Sequence, residues 1–178
     1  MYDWIVVGNG LTGAAISYEL AQRGETVLVV EQHHPLQGAT RHSYGTIAHW
    51  AGDTPLLTTL CQDSLRRYRQ FADELEYDIE FRELDALMTV PPDADPSAIA
   101  QSQAHCAIPP QVISREQACE MEPLLNKDAI AGALTVPYGH VNPEKLVQAY
   151  NTAFLRARGK IEIAQVTGWV QRGDRITG

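Results

Sequence analysis

The chain has 178 residues, 44% of them hydrophobic and 20% charged, and its 14 basic against 22 acidic side chains give a formal charge of −8. That is the composition of a globular protein long enough to bury roughly 70% of its unfolded surface, so no metal or disulfide is needed for a core. The negative balance repels phosphate polyanions and anionic lipid, which argues against a nucleic-acid or membrane-surface role. No run of 18 apolar residues and no basic region ahead of an apolar stretch occurs, so neither membrane insertion nor a secretory leader is expected, and the expected location is cytoplasmic. Cys61, Cys106 and Cys119 are odd in number and widely spaced, which predicts free thiols.

In chain order, residues 2–7 form a short β-branched apolar run that ends on Gly8, a buried strand. Residues 10–23 carry Leu11, Ala14, Ala15, Tyr18 and Leu20 near helical spacing, with Arg23-Gly24 as a stop. Residues 26–30 are a second strand, apolar enough for both faces of a parallel sheet to be covered. The opening unit is therefore β-α-β. Residues 32–52 are polar, punctuated by Gly38, Gly45 and Gly52, and read as a long loop. A helix follows from about Asp53 to Leu75 on an amphipathic stripe. Short strands are expected at 79–81 and 86–90, separated by Glu83-Leu84-Asp85, then helices at 96–106 and from Arg115, where Ser114 and Gln117 have capping-box spacing. A strand at 131–136 precedes a helix capped by Asn142, entered through Pro143 and stopped by Gly159. Residues 161–163 are a strand, and 167–170 with 175–177 form a hairpin around Arg172-Gly173-Asp174. Three segments are expected: 1–78 for the nucleotide, 79–136 as part of a second sheet, and 137–178 returning to the first domain.

Gly8-Asn9-Gly10-Leu11-Thr12-Gly13 is Gly-x-Gly-x-x-Gly between a strand and a helix. The first glycine permits the tight turn, the second lets a pyrophosphate approach the backbone, and the third lets helix pack on strand. Free amides and the helix dipole face the phosphates. Glu31, at the end of the second strand, is placed to accept the ribose hydroxyls and to repel a 2′-phosphate, which disfavours NADP. An NAD-binding domain would follow with a helix and a third strand, and residues 32–52 show neither. Their run Gly38-Ala39-Thr40-Arg41-His42-Ser43-Tyr44-Gly45-Thr46-Ile47 suits a long ligand wrapped by hydroxyls and amides, so the expected cofactor is FAD.

Three blocks then resemble the D-amino-acid-oxidase-like FAD-dependent oxidoreductases, a family that includes glycine oxidase, sarcosine oxidase and D-amino acid dehydrogenase. They are Gly8 to Glu31, Gly38 to Ile47, and Gly139-His140-Val141-Asn142-Pro143 with the following helix into Gly159 and Val166. The resemblance implies an α/β, glutathione-reductase-like Rossmann domain with part of an appended substrate-domain sheet. It implies that Gly8, Gly10, Leu11, Thr12 and Gly13 form the pyrophosphate turn and that Glu31 holds the adenosine ribose. It further implies Thr40, Arg41 and Ser43 at the phosphate and ribityl region, Gly45 and Thr46 beside the flavin ring, and the Val166 backbone at the adenine. The implied reaction is oxidation of the C–N bond of a small-molecule amine or amino acid by hydride transfer to flavin. Family members run to roughly twice this length, so the chain is expected to lack the rest of the substrate sheet and a later glycine-rich flavin contact. A chain supplying that half, a non-catalytic FAD-binding subunit of a heteromeric dehydrogenase, and an inactive fragment are the alternatives. No catalytic residue is assigned.

His42 and His49 read as polar loop histidines, His33-His34 as a solvated loop, His105 and His140 as surface or turn residues, and the three tryptophans as packing residues. Arg66, Arg67 and Arg69 read as an ion-paired helix face among Asp63, Asp73 and Glu74.

Overall fold

A computed structural model describes residues Met1–Gly178. The chain divides into two compact units: residues 1–45, 71–80 and 142–178 form the first, and 46–70 with 81–141 the second.

In the first unit, β1 (Trp4–Val7), β2 (Val27–Glu31) and β7 (Lys160–Ile163) form a parallel sheet in the order β1-β2-β7. Residues 2–7, 10–23 and 26–30 thus fold as the expected β-α-β, with α1 spanning Leu11–Gln22. The register pairs Val6 with Val29 and Val29 with Ile161, and side chains alternate faces along each strand. Ala21, Val27, Val29 and Phe154 make the buried cluster on one face, with Val6, Leu20, Ala157 and Ile161 packed around it. The helices that supply this cover are α1 and α5 (Pro143–Arg156). Tyr150 of α5 lies 5.5 Å, centroid to centroid, from both Tyr18 and Phe71. On the opposite face Ile5 and Val7 stay 48% and 65% exposed, so the sheet is covered on one side within this chain, not on both as its apolar strands suggested.

Helix α5 begins as the sequence dictates, with Asn142 Oδ1 accepting the Lys145 N–H at 3.1 Å and Pro143 in the first turn. Its end differs in detail. The left-handed residue is Arg158 (φ 66°), whereas Gly159 is required for room, because a Cβ there would meet three atoms of the Phe154 ring at 2.1–2.4 Å. Phe154 is fully buried and cannot yield. Gly159→Ala is expected to cost about 1–3 kcal/mol by overpacking, read as a lower denaturant midpoint at unchanged slope. The C-terminal hairpin forms as β8 (Gln171–Arg172) and β9 (Arg175–Ile176), shorter than expected and displaced on its first arm.

In the second unit, β6 (Gly132–His140) is the central strand of an antiparallel sheet. β4 (Arg82–Val90) runs along one side of it, and β3 (Thr46–Ile47) and β5 (Gln111–Ser114) share the other at opposite ends. The strand expected at 79–81 does not form, and β4 is one nine-residue strand that starts at Arg82 and runs through Glu83 and Asp85, where a break was expected. Arg69 of α2 (Pro55–Glu74) holds Glu83 through two bonds of 3.0 and 2.6 Å, so that charge is accommodated inside a strand. α3 (Pro96–Ser102) is shorter than expected, and α4 (Arg115–Met121) carries the expected capping box of Ser114 and Gln117. Ala118, Ile130 and Ala133 form the buried cluster here. The three cysteines are free, as expected.

Candidate functional site

The site is built where β1 ends and α1 begins. Gly8 has φ +96°, a conformation few other residues tolerate, and its amide donates to Val30 O at 2.8 Å, which pins the turn to β2. A Cβ on Gly13 would lie 2.0 Å from Gly8 O, so helix and strand end approach as only a glycine allows. Gly10 stands at the N-cap of α1 and offers no capping side chain. A serine or aspartate there would satisfy the first amides itself and close the site to an anion. The amides of Thr12 and Gly13 donate to no protein oxygen, while Leu11 N–H donates to Thr40 Oγ1 at 3.0 Å.

Glu31 is fixed by the backbone. Its Oε2 accepts Asn9 N–H at 2.7 Å and its Oε1 accepts His33 N–H at 2.9 Å. Burial alone pushes its pKa up, but amide donation from Asn9, His33 and Gln32 outweighs that, and the net shift is below the ordinary glutamate range. A depressed pKa contributes stability that is fully present above the unfolded-state value and is lost as pH falls through the folded one. The wild-type chain is therefore expected to lose more melting temperature on acidification than Glu31→Gln does. Parallel losses in the two proteins would contradict the bonding described.

Of the other expected site residues, Val166 joins Gly8, Glu31, Gln32 and Ala164 around a cavity of about 190 Å³. Arg41 Nη1 lies 3.3 Å from Glu144 Oε1, and Ser43 Oγ accepts the amide of Gly45 at 3.1 Å. Thr46 belongs to the second unit, where its Oγ1 accepts Tyr138 O–H at 3.2 Å. The first unit thus brings together the turn, Glu31, Thr40 and Val166, while Thr40, Arg41 and Ser43 already hold protein partners.

Sequence reasoning missed the buried Asn9 and the Glu144 partner of Arg41, both of which line a cavity of about 420 Å³ that also includes Glu31. His49 lies in a turn, as a polar loop histidine would, but is only 9% exposed, with an unpartnered Nδ1. In the second unit it lines a cavity of about 270 Å³ with Cys61, Ser64 and Tyr68. No helix is long and apolar enough to cross a membrane, and no cluster of three or more potential metal-ligating side chains occurs.

A glycine-lined turn with open amides, followed by an anchored carboxylate at the end of β2, defines a dinucleotide-binding fold. The family model described as FAD dependent oxidoreductase matches residues 3–178, and the chain belongs to that D-amino-acid-oxidase-like family, whose cofactor is FAD. It is 30% identical to the anaerobic glycerol-3-phosphate dehydrogenase subunit A1 of Haloferax volcanii over 98% of this chain and 30% of that protein. It is 31% identical to the glycine oxidase of Geobacillus kaustophilus over 76% of this chain and 38% of that one. The fold superposes on glycine oxidase from Bacillus cereus with a TM-score of 0.82 at 19% identity, covering 100% of this chain and 52% of that structure. The chain thus spans about a third of the length of the first curated relatives it matches.

The residues present fit FAD on the structure's own terms. Gly10 at the N-cap offers no capping side chain, two amides at the start of α1 have no protein acceptor, and the Glu31 carboxylate at the end of β2 is held by backbone amides with its pKa below the ordinary range.

Proposed function

We propose that this chain holds FAD in an oxidoreductase that oxidises the C–N bond of a small amine or amino acid. The observation that carries the cofactor half of this reading is the anchoring of Glu31 by Asn9 and His33 beside the open turn. The substrate half rests on likeness to relatives named glycine oxidase and 4-methylaminobutanoate oxidase.

In this reading the pyrophosphate lies on the turn from Gly8 to Gly13, with Leu11 and Thr12 in the first turn of α1. Glu31 accepts the ribose hydroxyls. Thr40, Arg41 and Ser43 serve the phosphate and ribityl region, Gly45 and Thr46 border the flavin ring, and the Val166 backbone meets the adenine. Bound FAD supplies a two-electron acceptor for the hydride leaving the α-carbon. The substrate nitrogen loses a proton as the C=N bond forms, and water then hydrolyses the imine to a carbonyl compound and an amine.

A second reading is favoured by the Haloferax relative, which is named as a subunit of a dehydrogenase. There the chain would hold FAD within a heteromeric enzyme. Anaerobic mixing of the FAD-loaded protein with glycine, with N-methylated amino acids and with glycerol 3-phosphate separates the two. The amine reading expects flavin bleaching by the amino compounds alone. Bleaching by glycerol 3-phosphate alone, or copurification of a second chain needed for any bleaching, supports the dehydrogenase reading instead.

A further inference from the structure

The family resemblance places Leu11 in the pyrophosphate turn and Thr40 at the phosphate and ribityl region, and the structure joins the two through a hydrogen bond. We propose that Thr40 is a cofactor-binding residue through which the first amide of α1 acts: Leu11 N–H donates to Thr40 Oγ1, and the hydroxyl hydrogen is what a phosphate oxygen receives. This rests on the FAD reading above.

An amide carries one hydrogen, and at 3.0 Å from Thr40 Oγ1 that of Leu11 is committed. The same oxygen stands against the second glycine of the fingerprint. A Cβ built on Gly10 would come 3.2 Å from Thr40 Oγ1 and within 4 Å of no other outside heavy atom. The room that Gly10 leaves open is therefore shared with the hydroxyl, and an anion approaching α1 meets Thr40 there. A hydroxyl that accepts from an amide keeps its own hydrogen to donate, and accepting polarises it into a stronger donor. The amides of Thr12 and Gly13, with no protein acceptor, remain the direct donors.

The loop that carries Thr40 is itself held. His42 N–H donates to Gly38 O at 3.3 Å, Ser43 N–H to Thr40 O at 3.2 Å, and Gly45 N–H to Ser43 Oγ at 3.1 Å. Arg41 ties the loop to Glu144 in the first turn of α5. Thr40 is thus presented to α1 by a turn bonded at both ends, which suits a fixed relay better than a side chain that swings away. In the competing arrangement the hydroxyl is a stand-in for a phosphate oxygen and leaves when the nucleotide arrives.

Two variants and one spectroscopic readout separate these. Thr40→Val keeps the shape and removes the hydroxyl, and Thr40→Ser keeps the hydroxyl. Affinity is read by equilibrium titration of FAD against the chain with flavin fluorescence, which needs no retention on a column, and Leu11 is followed by its amide ¹H–¹⁵N signal. The relay expects Thr40→Val to weaken FAD about tenfold or more, and Thr40→Ser to stay within about threefold of wild type. It also expects the Leu11 signal to move less on FAD addition than those of Thr12 and Gly13. Equal or tighter binding by Thr40→Val, or a Leu11 signal that moves most, overturns the relay while leaving the cofactor assignment intact. A wild-type chain that binds no FAD at saturating concentration overturns both.

Discussion

Gly13→Ala is expected to remove measurable FAD binding and to lower the melting temperature by on the order of 6–12 °C. The added Cβ would sit 2.0 Å from the carbonyl oxygen of Gly8 and 3.0 Å from its carbonyl carbon. Both atoms are backbone, and the Gly8 amide is bonded to Val30 O, so neither can shift without pulling β1 from β2. Relief requires α1 to move off the strand end. That disorders the amides of the turn and loosens Ala14, Ser17 and Tyr18, all buried on α1. The cost is roughly 3 kcal/mol, the upper range for overpacking, which gives the stated shift for a chain of this size. Calorimetry and FAD titration of the same variant check it. A near-native melting temperature with intact binding would mean that helix and strand do not approach as described.

The second large effect concerns the 178-residue polypeptide on its own, which is expected to associate and to lose FAD on gel filtration. Ile5 and Val7 lie on the open face of the sheet, and Trp169, Val170 and Ile176 around the C-terminal hairpin are 56–72% exposed. β1 and β7 are both edge strands, with unpaired backbone donors along one side. Exposed apolar side chains on a sheet with unpaired edges favour pairing with another chain. Glu31 lines two open cavities, of about 190 and 420 Å³, and the flavin contacts that the resemblance places in the family's later half are outside these residues, so retention is expected to be weak. Light scattering on the eluted peak and its absorbance at flavin wavelengths read both outcomes. A monomeric peak with one flavin per chain would contradict them.

The nucleotide half of the fold was legible because its signals are local. Two apolar runs flank a fingerprint, and each glycine proved necessary for a geometric reason visible in the structure: a positive φ at Gly8, an open N-cap at Gly10 and a close approach at Gly13. The cap of α5 was legible for the same reason, since Asn142 and Pro143 act within one turn. What was not legible depends on partners distant in sequence. The sequence places a strand only at 86–90 of β4 because Glu83 and Asp85 interrupt the apolar pattern, and the facing strand β6 and the Arg69 pair extend it back to Arg82. β5 has four residues and no turn chemistry of its own, so its pairing with β6 decides it. The polar side chains of the loop at 38–45 suggest ligand contacts by type, yet Thr40, Arg41 and Ser43 each hold a protein group. Residue type carried the chemistry of that loop, and tertiary bonding decided how it is offered.

The measurement that bears most directly on the cofactor site is an equilibrium titration of FAD into the wild-type chain and Gly10→Val. A branched side chain at Gly10 would enter the open space at the start of α1 and crowd Thr40 Oγ1, already 3.2 Å from where a Cβ would stand. Saturable FAD binding by the wild-type chain and none by Gly10→Val, with the two FAD-free proteins melting within a few degrees of each other, is the predicted result. Equal FAD affinity in the two proteins would place the dinucleotide elsewhere and contradict the assignment of the turn.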